Sequence, residues 1–238
     1  MQPFRAHGKL LLTAEYAITQ GAEGLAVPTV YGQTLMVDEG SGAPGIFWVA
    51  KSVEGTTWFE AQFDEHLEVV SSTAASIARH LQGMLRAAQS FSSRPLPSGV
   101  WTTSLDYPQQ WGLGSSSTLA SLIAQAAGIP GQRMREIHKG SGYDIACATA
   151  NGPLLYRLDQ GVAQAAPTPL KWSFTSDLAF VYSGKKQLNT ERLSLLKKAP
   201  FSEEQIAHFT EFTHQCLTAP HLAELESLGD EHEALLSD

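Results

Sequence analysis

The sequence predicts an α+β protein. Three observations carry this: β-rich runs separated by turn residues near the N-terminus, apolar residues recurring at helical spacing later on, and a strand, a glycine loop and a helix joined in sequence between residues 99 and 128. At 238 residues the chain exceeds the commonest domain size, so one large domain or two lobes are both admissible.

Gly8 to Thr13 is an apolar extended run holding one charge, Lys9, and reads as a buried strand. A lysine there can also simply snorkel from an edge. Thr29 to Val37, Gly45 to Lys51 and Thr56 to Phe63 are β-rich and separated by turns, as in an antiparallel meander. From Ser72 to Ser90, Ile77, Leu81, Met84, Leu85 and Ala88 recur at helical spacing, so Met84 is expected in the core and His80 on the solvated side. Gly99 to Leu105 alternates as a strand does and leads into Trp111-Gly112-Leu113-Gly114-Ser115-Ser116-Ser117-Thr118, with an apolar helix from Leu119 to Gly128 behind it. Gly128-Ile129-Pro130-Gly131 stops that helix. A short basic piece from Arg133 to Lys139 then precedes Gly140-Ser141-Gly142-Tyr143-Asp144.

Pro153 to Leu158 reads as a strand, and the Ala-, Pro- and Gln-rich stretch from Gly161 to Pro169 as the best place for a lobe boundary. Leu178 to Tyr182 is predicted to be a buried strand that ends at Ser183-Gly184-Lys185-Lys186. Two helices follow, one marked by Ile206, Phe209, Thr213, Cys216 and Leu217, the other by Leu222, Leu225, Leu228 and Leu235. The acidic piece from Gly229 to Glu233 is expected on the solvated face.

Composition excludes several functions. Hydrophobic residues make up 43% and charged residues 17%, and no run nears the roughly 18 apolar residues that span a membrane. A net charge of −8, with no Lys/Arg stripe, argues against nucleic acid as a partner. Cys147 and Cys216 lack metal-ligand or disulfide spacing and are expected as buried free thiols. The N-terminus shows no secretory signal, so the expected location is the cytoplasm.

The chemistry centres on the glycine loop. Gly112 and Gly114 allow close backbone approach, and the helix behind them offers free N–H groups and a positive dipole end, which suits a phosphate. Ser-rich turns of this kind also start helices that bind nothing. Asp144 likewise suits a helix first turn as well as a site. The sequence has no G-x-x-x-x-G-K-[ST], no G-x-S-x-G and no H-E-x-x-H, which removes the P-loop, the hydrolase elbow and the zinc protease. Lys9, the loop and Asp144 together suit phosphoryl transfer, which needs donors around phosphates and a group that positions the attacking hydroxyl.

These segments resemble the GHMP kinases of galactose, homoserine, mevalonate and phosphomevalonate. His7-Gly8-Lys9 with the following apolar residues and Glu15 is similar to that family's first motif. Gly112-Leu113-Gly114-Ser115-Ser116-Ser117 is similar to its nucleotide loop, and Ser141-Gly142-Tyr143-Asp144 to the Ser-Gly-x-Asp of the mevalonate branch. Gly142 to Ala146 spells the GYDIA signature of one bacterial subgroup. The resemblance implies two lobes with ATP and substrate between them: an ATP-binding lobe of the ribosomal-S5-domain-2-like type over residues 1–165, and a ferredoxin-like lobe over 166–238, incomplete at its C-terminus. It implies that residues Gly112, Leu113, Gly114, Ser115, Ser116 and Ser117 hold the ATP phosphates, with Ser116 near Mg²⁺. Asp144 would be the base or orienter of the acceptor hydroxyl and Lys9 its cationic neighbour, while Glu15, Tyr16, Ser141 and Gly142 would contact the acceptor.

Departures accompany the likeness. Tyr16 stands where several members have His, and Glu136 lies closer to the Ser-Gly-x-Asp turn than the family's Mg²⁺-binding Glu, which leaves it a weak metal ligand. The glycine-rich third motif is not found before Asp238, as expected of a truncated or degenerate chain. Lys185 and Lys186 suggest an acceptor bearing phosphate or carboxylate, although two solvated lysines in a turn would look the same. The expected activity is ATP- and Mg²⁺-dependent phosphorylation of a small molecule of mevalonate or phosphomevalonate type, with a homodimer left open. A diphosphomevalonate-decarboxylase-like enzyme and a nucleotide-binding protein without turnover are the alternatives.

Overall fold

The computed structural model describes residues 2–41, 44–138, 140–184 and 200–237. It is a mixed α+β structure that divides into two compact units interleaved in sequence, Met1–Lys9 with Thr29–Thr149, and Leu10–Pro28 with Ala150–Asp238. Two strands, β1 (Gln2–Leu11) and β2 (Gly24–Asp38), contribute to both units.

In the first unit the expected antiparallel meander forms only in part. β3 (Ile46–Lys51) and β4 (Thr57–Phe63) pair antiparallel, as do β4 and the short β5 (Val69–Ser72), but β3 does not pair with β2. Between them lies β6 (Gly99–Leu105), parallel to β3 from Ile46↔Gly99 to Lys51↔Ser104 and antiparallel to β2 from Gln33↔Leu105 to Asp38↔Val100. The reason lies in α1 (Ala75–Phe91), whose crossover returns the chain in the parallel sense. Alternate residues of β6 are buried, and Trp101 packs on Trp48 with ring centroids 5.7 Å apart. Helix α1 buries Ala78, Leu81, Met84, Leu85 and Ala88, while Ile77 of the anticipated stripe is exposed. Helix α2 (Ser115–Ala127) buries most of its length and ends where Gly128 takes φ 69°.

In the second unit β7 (Leu154–Asp159) pairs antiparallel with the first half of β2 and with β8 (Val162–Pro167). Much of the Ala-, Pro- and Gln-rich stretch is therefore a strand. Its two-residue turn places Gln160 at φ 47° and Gly161 at φ 81°, the positive pair that matches strand twist in a tight hairpin. Leu178 to Tyr182, in contrast, has no regular structure, and Phe180 and Val181 are exposed. Helix α5 (Glu203–Thr218) starts with a capping box between Ser202 and Gln205 and buries Phe209, Phe212, Thr213 and Cys216. Helix α6 (Leu222–Ser237) contains the acidic piece, but His232 in its midst is buried against the rings of Phe209 and Phe212. Both cysteines are buried free thiols, as expected. Among the described residues no helix is long and apolar enough to cross a membrane.

Candidate active site

Lys9, the glycine loop and the Asp144 turn meet within the first unit. The Lys9 N–H donates to the Leu113 carbonyl at 2.9 Å, which ties β1 to the loop. Gly114 is required twice over. Its φ of 86° is left-handed, and a Cβ there would lie 2.8 Å from Ser117 Oγ and 3.2 Å from Lys9 Cγ. The Lys9 side chain therefore runs across the loop in the space that a side chain at residue 114 would fill. Gly112 is also left-handed, at φ 75°, but a Cβ there would meet nothing within 4 Å.

Helix α2 opens directly behind Gly114 with no side-chain cap. Its first intrahelical bond runs from the Thr118 N–H to the Gly114 carbonyl, 2.9 Å, so the amides of residues 115, 116 and 117 have no acceptor within the helix. The three serines differ. Ser116 is exposed, whereas the Ser117 hydroxyl is buried and donates to the Gly114 carbonyl at 2.8 Å, so it stiffens the loop from within. The Thr118 hydroxyl donates to Gln33 Oε1 at 2.7 Å and anchors the first turn to β2.

The third segment is the short α4 (Tyr143–Ala148), which starts at Gly142 with φ 91° and carries Asp144 in its first turn. The Gly142 carbonyl accepts from the Ala146 N–H at 3.0 Å and from Gln132 Nε2 at 3.3 Å. Ser141 is buried. The Lys9 ammonium lies over the Tyr143 ring, 5.5 Å from its centroid. Below them, Cys147 senses both charges. Burial, chiefly, pushes its thiol up to about 12, the Asp144 carboxylate raises it further, and the Lys9 ammonium opposes the rise.

The remaining expected residues lie elsewhere. Glu136 is exposed in the first turn of α3 (Arg135–His138), and among the described residues no three His, Cys, Asp or Glu side chains gather as a metal site. Glu15 and Tyr16 belong to the second unit, where Glu15 is exposed and Tyr16 buried. Lys185 and Lys186 lie outside the described residues. Sequence reasoning assigns no role to three participants. Tyr143, which lies inside the Ser-Gly-x-Asp turn, serves as the rest for Lys9. Gln33, which lies outside every motif, anchors the loop helix through Thr118 at the end of the loop stretch. A glutamine inside a β-rich run is the one signal that points to the anchor.

Solved structures resemble the whole chain. Phosphomevalonate kinase of Streptococcus pneumoniae, in complex with phosphomevalonate and AMPPNP, matches with a TM-score of 0.65 over 100% of this chain and 80% of that one, at 12% identity. The Methanococcus jannaschii mevalonate kinase matches with 0.64 over 99% and 78%, at 11% identity. The chain has the GHMP-kinase fold. A mevalonate diphosphate decarboxylase from Legionella pneumophila shares the GHMP-kinase fold with it, at a TM-score of 0.61 over 98% and 76% and 11% identity. No family model and no curated protein matches the sequence.

Proposed function

We propose that the chain is an ATP- and Mg²⁺-dependent kinase that phosphorylates a hydroxyl or phosphate of a small acceptor of mevalonate or phosphomevalonate type. The observation that carries this reading is the packing of Lys9 across Gly114 and onto Tyr143, which gathers a cation, a carboxylate-bearing turn and an uncapped helix start in one unit. The donor set fits a nucleotide phosphate. The amides of residues 115 to 117 face no helix carbonyl, and the open space at Gly112 admits close approach. Bound Mg·ATP supplies the transferable phosphoryl group. The chain's residues hold it through the loop amides, with the exposed Ser116 hydroxyl available to the metal. Magnesium in such sites needs few protein ligands, because substrate phosphates and water complete its shell.

Asp144 accepts or orients the acceptor's hydroxyl proton, and Lys9 stabilises the oxygen as that proton leaves. Glu15, Tyr16, Ser141 and Gly142 contact the acceptor, and Lys185 and Lys186 meet its anionic group. In steady-state assays with mevalonate and phosphomevalonate, Asp144→Asn lowers turnover by orders of magnitude and leaves ATP binding nearly intact. Equal loss of both assigns Asp144 a structural role. Lys185→Ala raises the apparent KM for the anionic acceptor if that lysine contacts it.

The likeness to a mevalonate diphosphate decarboxylase favours a second reading, in which the same site drives decarboxylation. Release of CO₂ from diphosphomevalonate, with no phosphorylation of mevalonate or phosphomevalonate, selects it.

A further inference from the structure

The turn after β1 is held in a conformation that its residues do not prefer. Ala14 at φ 59° and Tyr16 at φ 64° both occupy the left-handed region, which is unfavourable for residues with a Cβ and persists only where the surroundings impose it. The Tyr16 carbonyl accepts from the Thr19 hydroxyl at 2.6 Å and the Thr19 N–H at 3.0 Å, bonds local to the turn. Ala14 is different. Its carbonyl accepts the Ile18 N–H at 2.9 Å, but its own N–H donates to His232 Nε2 in α6 at 3.0 Å.

Ala14 is fully buried, so without this imidazole its N–H would have no water to turn to. The next residue back is fixed in the same way. Thr13 Oγ1 shares a 2.7 Å bond with Thr213 Oγ1 of α5 and accepts the Leu25 N–H at 2.9 Å. The chain thus reaches Glu15 and Tyr16 through two residues clamped by side chains some two hundred positions downstream.

We propose that His232 is a positioning residue for the acceptor: by accepting the Ala14 N–H it sets the left-handed turn that presents Glu15 and Tyr16. The inference rests on the reading of those two residues as acceptor contacts. It requires the imidazole proton on Nδ1, the side that faces Glu233 at 3.9 Å. Other elements pack uncharged groups on the ring, the Phe209 and Phe212 side chains of α5 and the Ala14 amide. Glu226 and Asp230 of α6 itself share with His232 the wall of a 590 Å³ apolar cavity, together with the neutral Cys216 thiol of α5.

The test compares His232→Phe, which keeps a ring but accepts nothing, with His232→Gln, whose Oε1 can replace Nε2. Amide hydrogen exchange is followed across residues 13–18, and kinetics are run with Mg·ATP and phosphomevalonate. In His232→Phe the Ala14 amide loses protection, and the KM for phosphomevalonate rises roughly tenfold while that for ATP holds. His232→Gln restores both. Unchanged exchange at Ala14, or equal rises in the two KM values, overturns the proposal. If His232→Phe does not fold, acidification of the wild-type protein replaces it: Ala14 protection, corrected for intrinsic rates, must fall as the imidazole charges, and persistence overturns the proposal. A wild-type protein that turns over neither mevalonate nor phosphomevalonate overturns the acceptor role along with the proposed function, whereas the exchange result alone decides whether His232 holds the turn.

Discussion

The ammonium of Lys9 rests on the aromatic face of Tyr143, 5.5 Å from the ring centroid, while its stem occupies the space left by the missing side chain of Gly114. A flexible lysine is thereby confined at both ends. A contact of this kind is worth about 1 kcal/mol when partly shielded from water, so Tyr143→Leu lowers turnover roughly fivefold and Tyr143→Phe stays near the wild-type rate. Equal kcat for the Leu and Phe variants shows that the ring does not hold Lys9.

Gly112 and Gly114 share a backbone conformation but differ in surroundings, which separates strain from collision. Gly112→Ala adds only the left-handed penalty, about 1 kcal/mol, since open space receives its Cβ. Gly114→Ala must also displace Ser117 Oγ and the Lys9 stem. It loses about 2 kcal/mol or more in urea unfolding, and nucleotide binding falls with it. Equal losses at the two positions contradict the packing described.

The loop serines divide in the same manner. Ser117→Ala removes a buried hydrogen bond to the Gly114 carbonyl and costs about 1 kcal/mol of stability. Ser116→Ala leaves stability within about 0.5 kcal/mol, because its side chain is exposed, but it weakens use of Mg·ATP. A dependence on Mg²⁺ that Ser116→Ala does not alter removes Ser116 from the metal site.

His232 predicts a pH dependence of stability. Burial, chiefly, lowers its pKa from the ordinary value, with the Glu233 carboxylate pulling the other way. As pH falls, the unfolded chain takes up the proton first, so stability is full above about 6.5 and is lost from there down to the lowered folded value. Thermal unfolding across that window declines in the wild type and less steeply in His232→Gln. Parallel declines place the titration elsewhere.

Burial pushes both thiols up to about 12, which leaves almost no thiolate at pH 8. The native protein therefore reacts slowly with Ellman's reagent, and denaturant exposes two thiols per chain. Rapid reaction of one thiol before unfolding contradicts the burial of Cys147 or Cys216.

What local backbone constraint controls is legible in the sequence. Strict alternation at 99–105 marks β6, and glycines at 112, 114, 128 and 142 mark where φ turns positive, so the loop and the Asp144 turn can be read from neighbouring residues alone. Partner choice cannot. That β3 pairs with β6 and not with β2 is decided by the crossover through α1, which no run of residues in either strand records. Composition misleads in both directions. Val162–Pro167 forms a strand despite its Pro and Gln because it pairs along one side with β7, whereas Leu178 to Tyr182 has strand-like residues but no regular structure. His232 is hidden by its acidic neighbours, since a helix can turn one residue of a charged run inward while the others stay in water.

The interleaving of the two units bears on how the chain acquires its structure. β2 takes partners from residues 99–105 for its second half and from 154–159 for its first, so a single strand made early in synthesis waits on two segments made much later. Such distant pairing carries a large loop-closure cost before any contact rewards it. Folding should be slow for the size of the chain, and no contiguous cut yields either unit intact: a fragment ending near residue 150 would expose Leu25 and Ala26 without the strand that pairs with them. The protein is therefore best divided by point substitution, not by truncation.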